Sequence, residues 1–123
     1  MSAHAFEVGA ASFGAPQSPF LSPRRVSDLL GVTHAELAKL IGVARNTLTA
    51  KSGARKVDAA LSPVVRILAM ASEMAGDENR AAIWFKHQPI PGWAGKTAYD
   101  LVGEGKADKV LAYLEAVRSG VYA

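Results

Sequence analysis

From Ser22 onward the chain is cut into short segments by signals that start and stop helices, and none of those segments alternates as a strand does. Ser22-Pro23 sets a hydroxyl cap ahead of a proline at the first helical position. Val26, Leu29 and Leu30 then share a face before Gly31 ends the helix. Thr33 and Glu36 have the spacing of a capping box, Leu37, Leu40 and Ile41 follow at helical spacing, and Gly42 stops them. A third short helix is expected over about 44–51, closed by Ser52-Gly53. Ser62-Pro63 reads as a second Ser-Pro start, followed to residue 75 by an apolar stripe of Val64, Ile67, Leu68, Ala71, Met74 and Ala75. Asp77 caps a helix over about 78–86 that carries Ala81, Ile83, Trp84 and Phe85. Past a loop with Pro89, Pro91 and Gly92, Thr97 and Asp100 make another capping box, opening a short helix with Leu101 and Val102 inward. A last helix over about 106–119 aligns Val110, Leu111, Leu114 and Val117, with Gly120 as its stop. The expectation is an all-α fold of about seven helices.

The 123 residues suit one compact domain or two very small ones, and 50% apolar with 20% charged residues is the balance of a globular protein. The absence of cysteine excludes a disulfide scaffold, a thiol nucleophile and a cysteine-based metal site, and fits a reducing cytoplasm. No run reaches the roughly 18 apolar residues of a membrane helix. Residues 1–21, rich in Ala, Ser, Gly and Pro and interrupted by Glu7, read as a mobile arm rather than a secretory signal.

Charge is concentrated. Residues 24–56 hold seven bases and two acids, and the stretch from Ala44 to Lys56 holds four bases and no acid. A one-sign patch points to a polyanion, with nucleic acid as the default, although a merely basic loop gives the same count. The patch falls on and just after the second helix of a helix-turn-helix pattern. Ala38 sits four before Gly42, where crossing helices approach closely, and Leu37, Ile41, Val43 and Leu48 are apolar where the helices pack. Arg45, Asn46 and Thr49 lie away from Leu48; Arg pairs with guanine and Asn with adenine in the major groove. Lys51, Arg55 and Lys56 are expected in a loop that suits phosphates. Ala44 is a poor cap, and Lys51 stands where such motifs are usually apolar, so the reading helix is short or its DNA affinity modest.

Other constellations carry less. Gly95-Lys96-Thr97 ends like a phosphate loop, but Ile90 stands where the loop needs glycine and prolines replace its strand, so it reads as a turn into the Thr97 capping box. His4, His34 and His87 are far apart and lack partners at ligand spacing. No catalytic triad order or inward carboxylate pair is present, so an enzyme is the least favoured class and no cofactor is expected. Gly120-Val121-Tyr122-Ala123 follows the last helix and is unusually apolar; it reads as a frayed end, as a tyrosine folded back, or as a peg that inserts into a partner.

The whole arrangement over about residues 24–123 resembles antitoxins of the Xre/MbcA/ParS type, partners of RES-domain toxins. The helix-turn-helix segment Ala35-Glu36-Leu37-Ala38, Gly42-Val43 and Arg45-Asn46-Thr47-Leu48 is Xre-like. Ala82-Ile83-Trp84-Phe85, the proline loop, Gly95-Lys96-Thr97-Ala98 leading to Asp100-Leu101, then Gly105, Val110, Leu114 and Gly120-Val121-Tyr122 resemble the toxin-binding half. Ala98 stands where the family often has proline, and keeps the helix start. The resemblance implies a type II antitoxin that neutralises a RES-domain, NAD-degrading toxin by placing its C-terminal end at the cleft where NAD enters. It further implies autoregulation by binding promoter DNA, as an oligomer such as a dimer. It divides the chain into an arm (1–21), a DNA-binding region (22–76) and a toxin-binding region (77–123), and assigns toxin contact to Gly120, Val121 and Tyr122, with Arg118 beside them. Trp84 reads as core support. Two rivals stay open: a stand-alone repressor whose C-terminal half only dimerises, and a pure inhibitor that has lost DNA binding.

Overall fold

The computed structural model describes residues 22–120; the expected arm at 1–21, together with Val121 and Tyr122, lies outside the described residues. Seven α-helices are present among the described residues, in the all-α arrangement that the punctuation implies. The first, α1 (Pro23–Leu30), starts where the Arg25 N–H donates to the Ser22 hydroxyl at 3.3 Å. In α2 (His34–Ile41) the Glu36 N–H donates to the Thr33 hydroxyl at 3.1 Å, and the Thr33 N–H donates back to the Glu36 carboxylate at 2.9 Å. The same reciprocal pair, Thr97 with Asp100, opens α6 (Ala98–Gly103), and Asp77 caps α5 (Glu78–His87) by accepting from the Arg80 N–H at 2.7 Å. The last helix, α7, spans Ala107–Arg118.

Two boundaries differ from expectation. The third helix, α3, holds only Arg45–Thr49; Ala50 is extended and a 3₁₀ turn, Lys51–Gly53, follows. Ser62-Pro63 starts nothing, because α4 runs from Ala54 to Ala75 straight through Pro63. An interior proline costs about 3 kcal/mol through its missing N–H and its clash with the preceding turn. Upstream of it, however, Val57 and Leu61 are 3% and 0% exposed and continue the stripe of Val64, Leu68 and Ala71 at helical spacing. Burying two such side chains contributes roughly 3–6 kcal/mol, enough to carry the helix across.

One buried cluster joins all seven helices, from Val26 and Leu30 through Leu37, Leu48, Leu61 and Ile67 to Phe85, Leu101, Val110 and Leu114. The long α4 is its axis: the chain turns by 116° into α5, and both α5 and α7 pack against α4. At the centre the Phe85 ring meets Tyr99 edge-on, 6.0 Å between centroids. Among the described residues no single helix is long and apolar enough to cross a membrane.

Candidate nucleic-acid and partner interfaces

The turn between α2 and α3 is built by Gly42. Its φ of +76° lets the Val43 N–H return to the Ala38 carbonyl at 3.0 Å while its own N–H reaches Lys39 at 3.3 Å. Few residues other than glycine hold that conformation cheaply. Ala38, 2% exposed, allows the close crossing; Leu37 and Leu48 are buried, and Ile41 and Val43 pack partly against them. This is a helix-turn-helix with a second helix of five residues, and Ala44 makes no side-chain cap bond.

Arg45, Asn46 and Thr49 are exposed on α3, where the Thr49 hydroxyl turns back to the Asn46 carbonyl at 3.5 Å. Lys51 is exposed on the 3₁₀ turn. Arg55 and Lys56 are not in a loop: both are exposed on the first turn of α4, held in helix by the burial of Val57 behind them. The six residues therefore occupy one continuous stretch across α3, the turn and the start of α4. Among the described residues no ion pair engages Arg45, Lys51, Arg55 or Lys56. Uncompensated positive charge of this kind gives the long-range attraction that phosphate binding requires.

The C-terminal half is cross-braced. Pro89 and Thr97 form an isolated antiparallel bridge, and the Ile90 N–H donates to the Lys96 carbonyl at 2.8 Å, so the Gly95-Lys96-Thr97 segment is a turn into α6. Lys96 and Lys106 close on Glu104 at 2.8 and 3.2 Å, and hydrogen bonds from Lys96 first and Lys106 second hold its carboxyl below the ordinary value. The Lys106 ammonium also lies 5.6 Å from the Trp93 ring centre. These contacts fix α6 against the start of α7. At the far end of α7, Arg118 grips Glu115 through two bonds of 2.7 and 2.8 Å. Gly120, exposed with a φ of +88°, donates its N–H to the Val117 carbonyl at 3.0 Å.

Elsewhere, Glu36 is held below its ordinary value first by the Thr33 N–H and then by the Thr33 hydroxyl, while burial, helped by the charge of Glu36, pushes the Tyr99 hydroxyl up. Both shifts follow from capping and packing. Among the described residues, no three His, Cys, Asp or Glu side chains come together as a metal site.

Sequence patterning missed one surface. Met74 and Ile83, taken with the apolar stripes, are 40% and 62% exposed. On α5 the buried face is Ala81, Ala82 and Phe85. At 100° per residue that face turns Ile83 outward, a signal present in the helical spacing itself. Trp84 packs partly on the core, as expected, but its ring also lines a groove on each side: one with Ile83 and His87, the other with Met74 and Leu114.

The chain thus joins a helix-turn-helix and the basic stretch that follows it, through one core, to a braced C-terminal half. Comparison with protein families gives these modules their class: residues 15–65 match the antitoxin Xre-like helix-turn-helix domain, and residues 70–120 match the antitoxin Xre/MbcA/ParS C-terminal toxin-binding domain. The chain belongs to the Xre/MbcA/ParS antitoxins and is a toxin–antitoxin system antitoxin. Comparison with curated proteins and with solved structures returns no match.

Proposed function

We propose that this antitoxin acts in the cytoplasm on a RES-domain, NAD-degrading toxin. Gly120, Val121 and Tyr122, with Arg118 beside them, block the entrance through which NAD reaches the active site. The observation that carries this reading is the toxin-binding match over 70–120, which ends at Gly120, exposed where the chain leaves α7. Arg118 serves two ends: its pairing with Glu115 stiffens the last turn of α7, and a rigid support lowers the entropic cost of holding a short segment in a pocket. The helix-turn-helix, through Arg45, Asn46 and Thr49 for bases and Lys51, Arg55 and Lys56 for phosphates, binds the operon's own promoter as a dimer within the toxin complex. The toxin-binding match favours this reading over a stand-alone repressor. The functional division at residues 76 and 77 is part of the proposal.

The test is NAD consumption by the purified cognate RES-domain toxin, with excess antitoxin added. Removal of residues 120–123 takes away no member of the buried cluster among the described residues and is expected to abolish inhibition, with Tyr122→Ala intermediate. Full inhibition by the shortened chain overturns the peg. Failure of the full chain to inhibit or to copurify with that protein overturns the toxin assignment.

A further inference from the structure

Single exposed apolar residues are ordinary on a protein surface, but here they cluster. Met74 near the end of α4 and Ile83 on α5 are the large hydrophobic side chains most open to solvent among the described residues. Trp84 lies between them and forms a wall of the groove that Met74, Ala71 and Leu114 complete. Three helices that the core already locks together, α4, α5 and α7, therefore present one apolar surface on a rigid base.

Its position is informative. Leu114, in that groove, precedes Arg118, the last residue of α7, by four residues. At 1.5 Å per residue the groove and the point where the chain leaves α7 are about 6 Å apart along the axis. A partner that receives the residues after α7 is thus within one side chain's reach of Trp84. The toxin-binding match over 70–120 contains every residue of the surface. The area argues against a stable dimer built on this patch alone. It exposes on the order of a few hundred Å², where a stable interface needs about 800 Å² from each partner.

We propose that the Met74–Ile83–Trp84 surface is a second contact for the toxin, separate in role from the segment after α7: the apolar surface holds the partner and the segment blocks it. This rests on the function proposed above. A toxin element bearing an aliphatic or aromatic side chain fills the groove between Met74 and Trp84, while Arg80, His87 and Gln88 form a polar rim beside Ile83.

The experiment separates affinity from inhibition. The dissociation constant for the cognate RES-domain toxin, made inactive towards NAD, is measured by calorimetry for the parent, Ile83→Asp, Met74→Glu and the chain lacking residues 120–123. Residual NAD consumption by the active toxin is measured with each variant at saturation. Both targeted side chains are exposed, and an unchanged thermal midpoint confirms that the variants fold. The expected result is a dissociation constant at least tenfold higher for Ile83→Asp and for Met74→Glu, with full inhibition at saturation. The shortened chain is expected to form a complex that does not inhibit. A change below tenfold for both substitutions overturns the second contact, as does a loss of self-association with toxin affinity unaltered, which would give the surface to a second copy of the chain. Full inhibition by the shortened chain overturns the peg alone and leaves the apolar contact to be decided by the dissociation constants.

Discussion

Gly53 sits where the end of α3 passes the start of α4. A Cβ built there lies 2.7 Å from both the Thr47 Cγ2 and the Thr47 carbonyl oxygen. The methyl could turn away, but the carbonyl belongs to the backbone of α3 and moves only if the helix does. Gly53→Ala is therefore expected to destabilise the protein by about 1–3 kcal/mol, the usual cost of forcing atoms into a filled space. It should also displace Lys51 and Arg55 relative to Arg45, so that promoter affinity falls with stability. Gly103, at the end of α6, is the contrast: a Cβ there meets only Leu40 Cδ1, at 3.9 Å, an ordinary contact. Gly103→Ala should be neutral or stabilising by up to about 1 kcal/mol, since alanine restricts the unfolded chain. Urea denaturation of both variants checks the pair; equal stabilities would remove the steric account. In the sequence both residues are helix-ending glycines, and only the approach of Thr47 distinguishes them.

Elements were legible wherever the cause was local. The caps at Ser22, Thr33, Asp77 and Thr97 each act across three residues, so their geometry follows from spacing alone. The start of α4 was illegible because proline's local cost is overridden by burial of Val57 and Leu61 against helices far away in sequence. That change moves Arg55 and Lys56 from a loop onto a helix and fixes their distance from α3. A division of labour follows. Arg45→Ala or Asn46→Ala should cost roughly 1–3 kcal/mol of discrimination between promoter and random DNA for each lost bidentate contact. Arg55→Ala or Lys56→Ala should weaken both DNAs alike and flatten the salt dependence. Mobility shifts at several salt concentrations separate the two; an Arg45 variant that discriminates as well as the parent rejects α3 as the reading helix. At the α6–α7 junction the effect is of pH. The folded state prefers the charged form of Glu104, whose carboxyl is held below its ordinary 4.5 by Lys96 and Lys106. The pairing contributes stability above that value and loses it as pH falls through the depressed one. The thermal midpoint of Glu104→Gln should thus lie below the parent's near pH 7, and the two should converge below about pH 4.5. A gap that stays constant with pH would mean that the lysines do not act through the carboxylate's charge.

At the scale of the molecule, the two matched regions share one folding unit. The family matches end at residue 65 and resume at residue 70, both inside α4. Residues beyond 76 supply Phe85, Ile90, Leu101, Val110 and Leu114 to the cluster that also holds Leu37 and Leu48 of the helix-turn-helix. At roughly 1.5–3 kcal/mol for each large buried side chain, losing five costs about as much as a whole domain's stability of 5–15 kcal/mol. A fragment of residues 22–76 should therefore be unfolded by far-ultraviolet circular dichroism and should not bind promoter DNA. The intact chain should unfold in one transition, with the same midpoint by circular dichroism and by the fluorescence of Trp84 and Trp93, which report only on the C-terminal half. Because the unit is shared, a toxin that binds only the folded chain stabilises the DNA-reading end by mass action, by about 2.7 kcal/mol at a hundred times its dissociation constant, without touching α3. The prediction is that saturating toxin raises the midpoint of the single transition and that promoter binding persists to the same higher temperature. Two separated transitions, or a midpoint rise confined to the tryptophan signal, would show that the halves fold apart.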